Sequence, residues 1–279
     1  MKIVFWSNYP KSDVTSNMTA VAIMFSIMYP SRVMMMTNHC NYENLGRTLL
    51  GNCYDDVLRE EAGYGDVSRE HPIVKRIDSV PSRYDLPKNA ENLAEDGLYY
   101  FAQGKLFSNE IYELRVWEEI VRFFEYLDCL EDYVFIDAKS QDSVSTVKLL
   151  EESDIVVVNL RQDETLMRDF FKNYAAIIGK SFFFISEYRK KNAYSLSSFL
   201  KEFSVHPNRV AVIPYNPEFS PAAGDGRITE YVMKNHDCNK NSKEYYYIRH
   251  LKRAAELLKE IVDHHPYLAV AADINQIYA

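Results

Sequence analysis

The chain has 279 residues, enough for one large domain or two small ones with an ordinary buried core. Hydrophobic residues make up 47% and charged residues 26%, which excludes a wholly disordered or fibrous chain. Thirty-two Lys and Arg against 40 Asp and Glu leave a formal charge of −8, so no strongly positive field gathers nucleic acid, and no specific nucleic-acid partner is expected.

The 21 Tyr and 15 Phe can fill a core or anchor interfaces, and composition does not choose between the two. The opening MKIVFW lacks the pattern of a signal peptide, and no run approaches the roughly 18 apolar residues that span a bilayer. A soluble, cytoplasmic protein is the expectation. Cys40, Cys53, Cys129 and Cys238 are widely separated and suggest neither a CxxC metal pair nor a disulfide framework.

In chain order, Lys2 to Trp6 (KIVFW) reads as a buried strand and Ser7 to Val14 as a loop. Thr15 to Met28 reads as a helix closed by Pro30, and Arg32 to Met36 (RVMMM) as a second strand. Strand, helix and strand within about 35 residues is the length of a βαβ unit. Asn41 to Pro87 has poor periodicity, and short helices and loops are expected there. Ile111 to Leu127 places Leu114, Trp117, Ile120, Val121, Phe124 and Leu127 near one helical face.

The pattern then becomes regular. Strands are predicted at Tyr133 to Ile136, Asp154 to Leu160, Ser181 to Ile185 and Arg209 to Ile213. Helices are predicted between them at Ser143 to Leu150, Thr165 to Tyr174 and Ser195 to Phe203. Doubly apolar strands alternating with helices argue for a parallel sheet in a layered α/β domain. Over Tyr246 to Val262 a last helix carries an apolar stripe at Ile248, Leu251, Ala255, Leu258 and Val262. Its polar face mixes both signs, which favours packing on the sheet over lying on a membrane.

In an open parallel sheet the ligand site lies beyond the carboxyl ends of the strands. Three segments converge there: Ser7 to Ser16, Asp137 to Gln141, and Pro214 to Phe219. A phosphate at the first would use backbone N–H groups and a helix N-terminus. The loop SNYPKSDVTS has no glycine, and Pro10 removes one amide donor. Thr15 and Ser16 suit either a Mg²⁺-associated phosphate or helix capping, with capping expected of at least one. Lys11 can reach a phosphate or stay solvated, while Asp13 brings a charge that opposes a γ-phosphate. Asp137, at the end of a buried strand, can orient Mg²⁺ or a nucleophilic water, or cap the following turn. Gln141, Asn159, Gln162 and Asp163 are further candidates for the crevice.

Other motifs carry less. Asp263-His264-His265 follows a helix rather than a strand, and His250 and His264 lack cysteine companions. There is no GxSxG elbow. Tyr188 to Lys191 reads as a solvated turn.

The order of these segments resembles the MinD/ParA family of P-loop ATPases, and within it the divergent TadZ/CpaE-like branch of pilus-assembly proteins. KIVFWS followed by TSNMTAVA is similar to that family's first strand and the helix after its phosphate loop. YVFIDAKSQ resembles its Walker B strand and acid, and RVAVIPYNPEF and GRITEYV resemble its last strand, nucleotide-base loop and closing helices. The resemblance implies one P-loop NTPase-like α/β domain over residues 1–279, with a mostly parallel sheet between layers of helices and a divergent segment at 41–108. It implies ATP or ADP with Mg²⁺ as the cofactor where the site still works. Lys11, Thr15, Ser16, Asp137, Pro214 and Asn216 would then hold the nucleotide, with Thr15 and Asp137 at the metal.

The departures point away from fast turnover. Setting Thr15-Ser16 on the paired hydroxyls of the deviant Walker A motif puts Val14 where the phosphate lysine belongs and Tyr9 near the signature lysine. Thr37-Asn38-His39 replaces an expected acid, and the glycine after Asp137 is missing. The expectation is therefore a degenerate Walker A site in a localisation or assembly factor that works through protein contacts, in pilus or secretion assembly. A homodimer and recruitment through a partner to the inner face of the membrane stay open. The alternatives are an active dimerising ATPase in which Lys11 replaces the missing lysine, and a small-molecule enzyme on the same sheet.

Overall fold

Strand Lys2–Trp6 (β1) alternates its side chains between two separate cores, Ile3 and Phe5 on one side and Val4 and Trp6 on the other. That period of two is what a strand buried on both faces requires. The computed structural model describes residues 1–39, 45–50, 90–94, 97–101, 133–140 and 143–264.

The remaining strands are Val33–Asn38 (β2), Ala90–Ala94 (β3), Leu98–Phe101 (β4), Tyr133–Ala138 (β5), Ile155–Arg161 (β6), Ser181–Tyr188 (β7) and Val210–Pro214 (β8). They form one eight-stranded sheet in the order β3-β4-β2-β5-β1-β6-β7-β8. Every pairing is parallel except β3 with β4. β3 is an antiparallel edge strand that the sequence pattern does not announce.

On the first face lie Val14–Met28 (α1) and Leu45–Leu50 (α2). The second face carries Val144–Glu152 (α3), Glu164–Asn173 (α4), Ala175–Ile178 (α5) and Leu196–Phe203 (α6). Phe219–Gly224 (α7), Ile228–Asn235 (α8) and Tyr245–Asp263 (α9) return to the first. The result is the expected three-layer α/β arrangement. α1 packs against α9, α8 and α2 as well as the sheet, so Asn17 through Phe25 are buried without interruption. The stripe predicted on the last helix is buried at Ile248, Leu251, Ala255, Leu258 and Val262. It packs on β8 and α1.

Most of the phenylalanines among the described residues are spent on the core. Phe182, Phe183 and Phe184 of β7 are all fully buried, and Phe170 sits between Trp6, Tyr174 and Phe183. Several tyrosines stay outside, with Tyr9, Tyr215 and Tyr246 exposed.

Most elements start or end a residue or two from expectation. α3, α4 and α6 begin after Ser143, Asp163 and Ser195, whose side chains accept backbone N–H groups of the first turn. β2 runs on to Asn38 and β7 to Tyr188, so Tyr188 belongs to a strand and the basic turn starts at Arg189. The helix predicted at Ile111 to Leu127 and most of the 41–108 segment lie outside the described residues. No helix among the described residues is long and apolar enough to cross a membrane.

Candidate functional site

The chain leaves β1 through α1 toward β2 and leaves β5 through α3 toward β6, on opposite sides of β1. Beyond the carboxyl ends of these strands is the topological switch point, where such sheets bind ligands. A cleft of about 980 Å³ opens there, lined by the Pro10–Asn17 segment, the ends of β2, β5, β7 and β8, and parts of α2, α7 and α9. That volume is within the usual range for small-molecule sites.

The loop after β1 is tied down locally. Ser7 Oγ accepts the Tyr9 N–H at 3.2 Å, the Ser12 hydroxyl donates to the Tyr9 carbonyl at 2.8 Å, and the Asn8 amide reaches Asp169 of α4 at 3.1 Å. Lys11 and Asp13 have φ of 58° and 54°, a left-handed conformation that L-residues enter at a cost of about 1–2 kcal/mol each. In the phosphate-loop pattern G-x-x-x-x-G-K-[ST], with Thr15 at the hydroxyl position, the second glycine falls on Asp13. The loop therefore adopts a glycine-like bend there without a glycine.

The first intrahelical bond of α1 runs from the Asn17 N–H to the Asp13 carbonyl at 2.9 Å. The N–H groups of Val14, Thr15 and Ser16 precede it, and Asp13 in the N-cap position caps none of them with its side chain. The capping expected of Thr15 or Ser16 is thus corrected. Both sit inside the first turn, where a hydroxyl cannot fill the N-cap role. Instead the Thr15 hydroxyl crosses to the sheet and donates to Asp137 Oδ2 at 2.7 Å.

Asp137 is 1% exposed at the end of β5. The same Oδ2 lies 3.2 Å from Nε2 of His39, itself 4% exposed. The contact follows from register: Thr37 pairs with Asp137 and Asn38 with Ala138, so the residue after β2 arrives beside the carboxylate. Thr15 and Asp137 offer oxygens of the hard type that Mg²⁺ takes, and phosphate oxygens and water would have to complete an octahedron. No cluster of three or more His, Cys, Asp or Glu among the described residues could hold a metal by itself.

Charge in the cleft is mixed. Lys11 is exposed on the loop and has no ion pair among the described residues. Asp13 is open to solvent but set in a concave wall. Lost hydration there, with the nearby Glu187 carboxylate, raises its pKa from 3.8 to about 6 against the opposing pull of Arg161. Glu187, at φ 48° beside the irregularity in β7–β8 pairing, is 3.3 Å from Arg161.

Opposite the loop, Pro214 ends β8 and Asn216 follows it on the cleft wall. The Asn216 side chain is fully engaged. Its oxygen accepts the Glu218 and Phe219 N–H groups at 2.8 and 3.0 Å, and its amide donates to Glu244 at 2.7 Å and the Tyr231 hydroxyl at 3.0 Å. Tyr231 also bonds Glu244, and burial raises its phenol pKa. Tyr247 of α9 lines the same wall at 2% exposure, and its hydroxyl has no hydrogen-bond partner among the described residues. Burial pushes that phenol well above its ordinary pKa, which keeps it a donor.

The structure thus brings Lys11, Thr15, Ser16, Asp137, Pro214 and Asn216 to one cleft. Asn159 is not in it. It lies fully buried beneath, accepting a hydrogen bond from Asn17 at 3.1 Å, while the Asn17 amide also donates to Ser186 at 2.9 Å. Gln162 is held by the Tyr194 carbonyl and the Arg189 N–H, and Asp163 caps α4. Both border a smaller cleft of about 470 Å³ beside β6 and β7. Gln141 lies outside the described residues. His39 and Tyr247 were not anticipated as cleft residues, since their places depend on pairings distant in sequence.

The fold and its switch-point cleft define an α/β protein with the MinD/ParA P-loop NTPase architecture. No protein-family model matches the sequence, and no curated protein matches it. Solved structures do match in fold. The cell-division ATPase MinD of Pyrococcus furiosus superposes with a TM-score of 0.63 at 12% identity, covering 93% of this chain and 98% of its own. The septum site-determining protein MinD of Pyrococcus horikoshii, complexed with Mg-ADP, gives 0.62 at 12% identity, covering 94% and 99%. A ParA family ATPase from Chlorobium tepidum gives 0.60 at 12% identity, covering 91% and 98%.

Proposed function

We propose that the cleft binds a nucleoside phosphate, ATP or ADP with Mg²⁺, and that the chain is a single-domain localisation or assembly factor with little hydrolytic activity. The observation that carries this is the loop. It keeps a glycine-like bend and three uncapped N–H groups for a phosphate, yet Val14, 7% exposed, stands where a transferring phosphoryl group needs a lysine. Binding to amides and a helix N-terminus survives such a change, whereas stabilisation of transition-state charge does not.

In this reading Lys11 and the first turn at Thr15 and Ser16 hold phosphate. Thr15 and Asp137 hold the metal, and Pro214 lines the nucleoside side. Asn216 shapes that wall through its own bonds. The P. horikoshii relative in fold, complexed with Mg-ADP, supports the choice of ligand.

Output would come through protein contacts, including a second copy of the chain. Tyr9, Tyr215 and Tyr246 are exposed and follow or flank the carboxyl ends of the strands, with Arg189 3.8 Å from the centre of the Tyr215 ring and Lys190 4.5 Å from that of Tyr246. Exposed aromatics of this kind anchor interfaces. The sequence resemblance favours pilus or secretion assembly as the setting, with recruitment to the membrane through a partner.

Lys11 supports a second reading, since an ammonium on the cleft with no ion pair among the described residues could replace the missing lysine. Calorimetry with ADP and a turnover assay with ATP, on wild type and Lys11→Ala, separate the two. Micromolar ADP binding with negligible turnover is the expected result. Turnover abolished by Lys11→Ala would establish the ATPase reading instead, and no binding at millimolar nucleotide would overturn both.

A further inference from the structure

We propose that Asp13 sets the charge of the anion this cleft accepts, admitting a nucleoside mono- or diphosphate and disfavouring a triphosphate; this rests on the reading of the cleft as a phosphate site. Three features of the structure converge on Asp13.

The first is its place. Asp13 immediately precedes α1, whose first-turn residues Val14, Thr15 and Ser16 line the cleft, yet its carboxylate caps none of their N–H groups. Ser143, Asp163 and Ser195 cap α3, α4 and α6, whereas α1, like α5, α7, α8 and α9, has no side-chain cap. The left-handed backbone at Asp13 accounts for this, because N-cap bonding normally requires an extended residue.

The second is the surrounding charge. Glu187 from β7 lines the same cleft as Asp13, Arg161 from β6 pairs with Glu187 at 3.3 Å, and Tyr247 from α9 also lines the cleft. Lys11 on the same loop is exposed. No lysine stands at Val14, so an anion that extends toward Asp13 meets an acidic wall with incomplete compensation.

The third is Tyr247. This residue lines the cleft, and its buried hydroxyl has no acceptor among the described residues, so a ligand oxygen or an ordered water is needed to satisfy it. A ligand oxygen drawn there supports occupancy of the cleft independently of the helix N-terminus.

One additional phosphate charge near one additional carboxylate, screened at the open end of a cleft, changes affinity by about tenfold. The test is calorimetric binding of ADP and of ATP at pH 8 in Mg²⁺ buffer, for wild type, Asp13→Asn and Asp13→Gly. Glycine accepts the left-handed backbone, so Asp13→Gly covers the case in which the Asn variant fails to fold. Wild type should bind ADP about tenfold tighter than ATP. Both variants should close that gap by tightening ATP. Equal affinities in wild type, or a gap that survives both substitutions, would overturn the role of Asp13 while leaving the phosphate site standing. If no form binds either nucleotide at millimolar concentration, the phosphate site fails and this inference fails with it.

Discussion

The two ends of the sheet use their polar groups in opposite ways. At the amino end of β7, the Lys180 ammonium donates to the carbonyls of Glu151 and Ser153 at 2.7 and 2.8 Å. Nearby, the Arg209 guanidinium gathers the carbonyls of Ile178, Gly179 and Ser181. These cations close the ends of α3 and α5. At the carboxyl end, among the described residues, Lys11 has no ion pair, the first turn of α1 has no side-chain cap, and the Tyr247 hydroxyl has no acceptor. Around Lys180 and Arg209, and at the capped starts of α3, α4 and α6, local rules of capping and satisfaction hold; they lapse at the α1 loop, and such lapses concentrate where a protein works.

Substitutions at the amino end should harm stability and leave ligand binding alone. Arg209→Ala should show the largest effect, a loss of about 2 kcal/mol in urea unfolding, with ADP affinity unchanged. Asn17, by contrast, lines the floor of the cleft, and Asn17→Ala strips partners from buried Asn159 and Ser186. It should cost about 1–2 kcal/mol and also loosen the start of α1.

At the carboxyl end the signs should reverse. Asp13→Gly should stabilise the protein by up to about 1 kcal/mol, since glycine relieves the left-handed residue. Its pH dependence is a further check. The folded protein holds the Asp13 proton more tightly than the unfolded chain, with a pKa of about 6 against 3.8. Stability from this group is therefore present below pH 3.8 and is lost as pH rises through 6. Melting curves of wild type against Asp13→Asn across that range should converge toward the acid side and diverge toward neutrality, with the variant the more stable. Smallest of all, Lys11→Ala should leave Tm within the error of the measurement while weakening ADP.

Much of the architecture was legible because it is written locally. KIVFW, DIVVVNL and SFFFI are apolar on both faces, and Ser143, Asp163 and Ser195 announce the helices that follow them. Strand β3 was not legible, since AENLA is built from residues that favour helices or turns, and only pairing with β4 makes it a strand. The site was legible as a set of loops but not as a set of bonds. Thr37-Asn38-His39 reads in sequence as a missing acid, whereas the β2–β5 register turns His39 into a neighbour of Asp137. The glycine-free loop reads as a lost phosphate cradle. Backbone angles at Lys11 and Asp13 keep its bend, which side-chain identity alone could not reveal.

The most direct test compares the two ends in one experiment: amide chemical shifts followed by NMR as ADP and Mg²⁺ are added. The account predicts saturable shifts at Val14, Thr15, Ser16 and Tyr247, with Lys180 and Arg209 unmoved. Shifts centred on the amino end, or none at the first turn of α1 under saturating ADP, would contradict it.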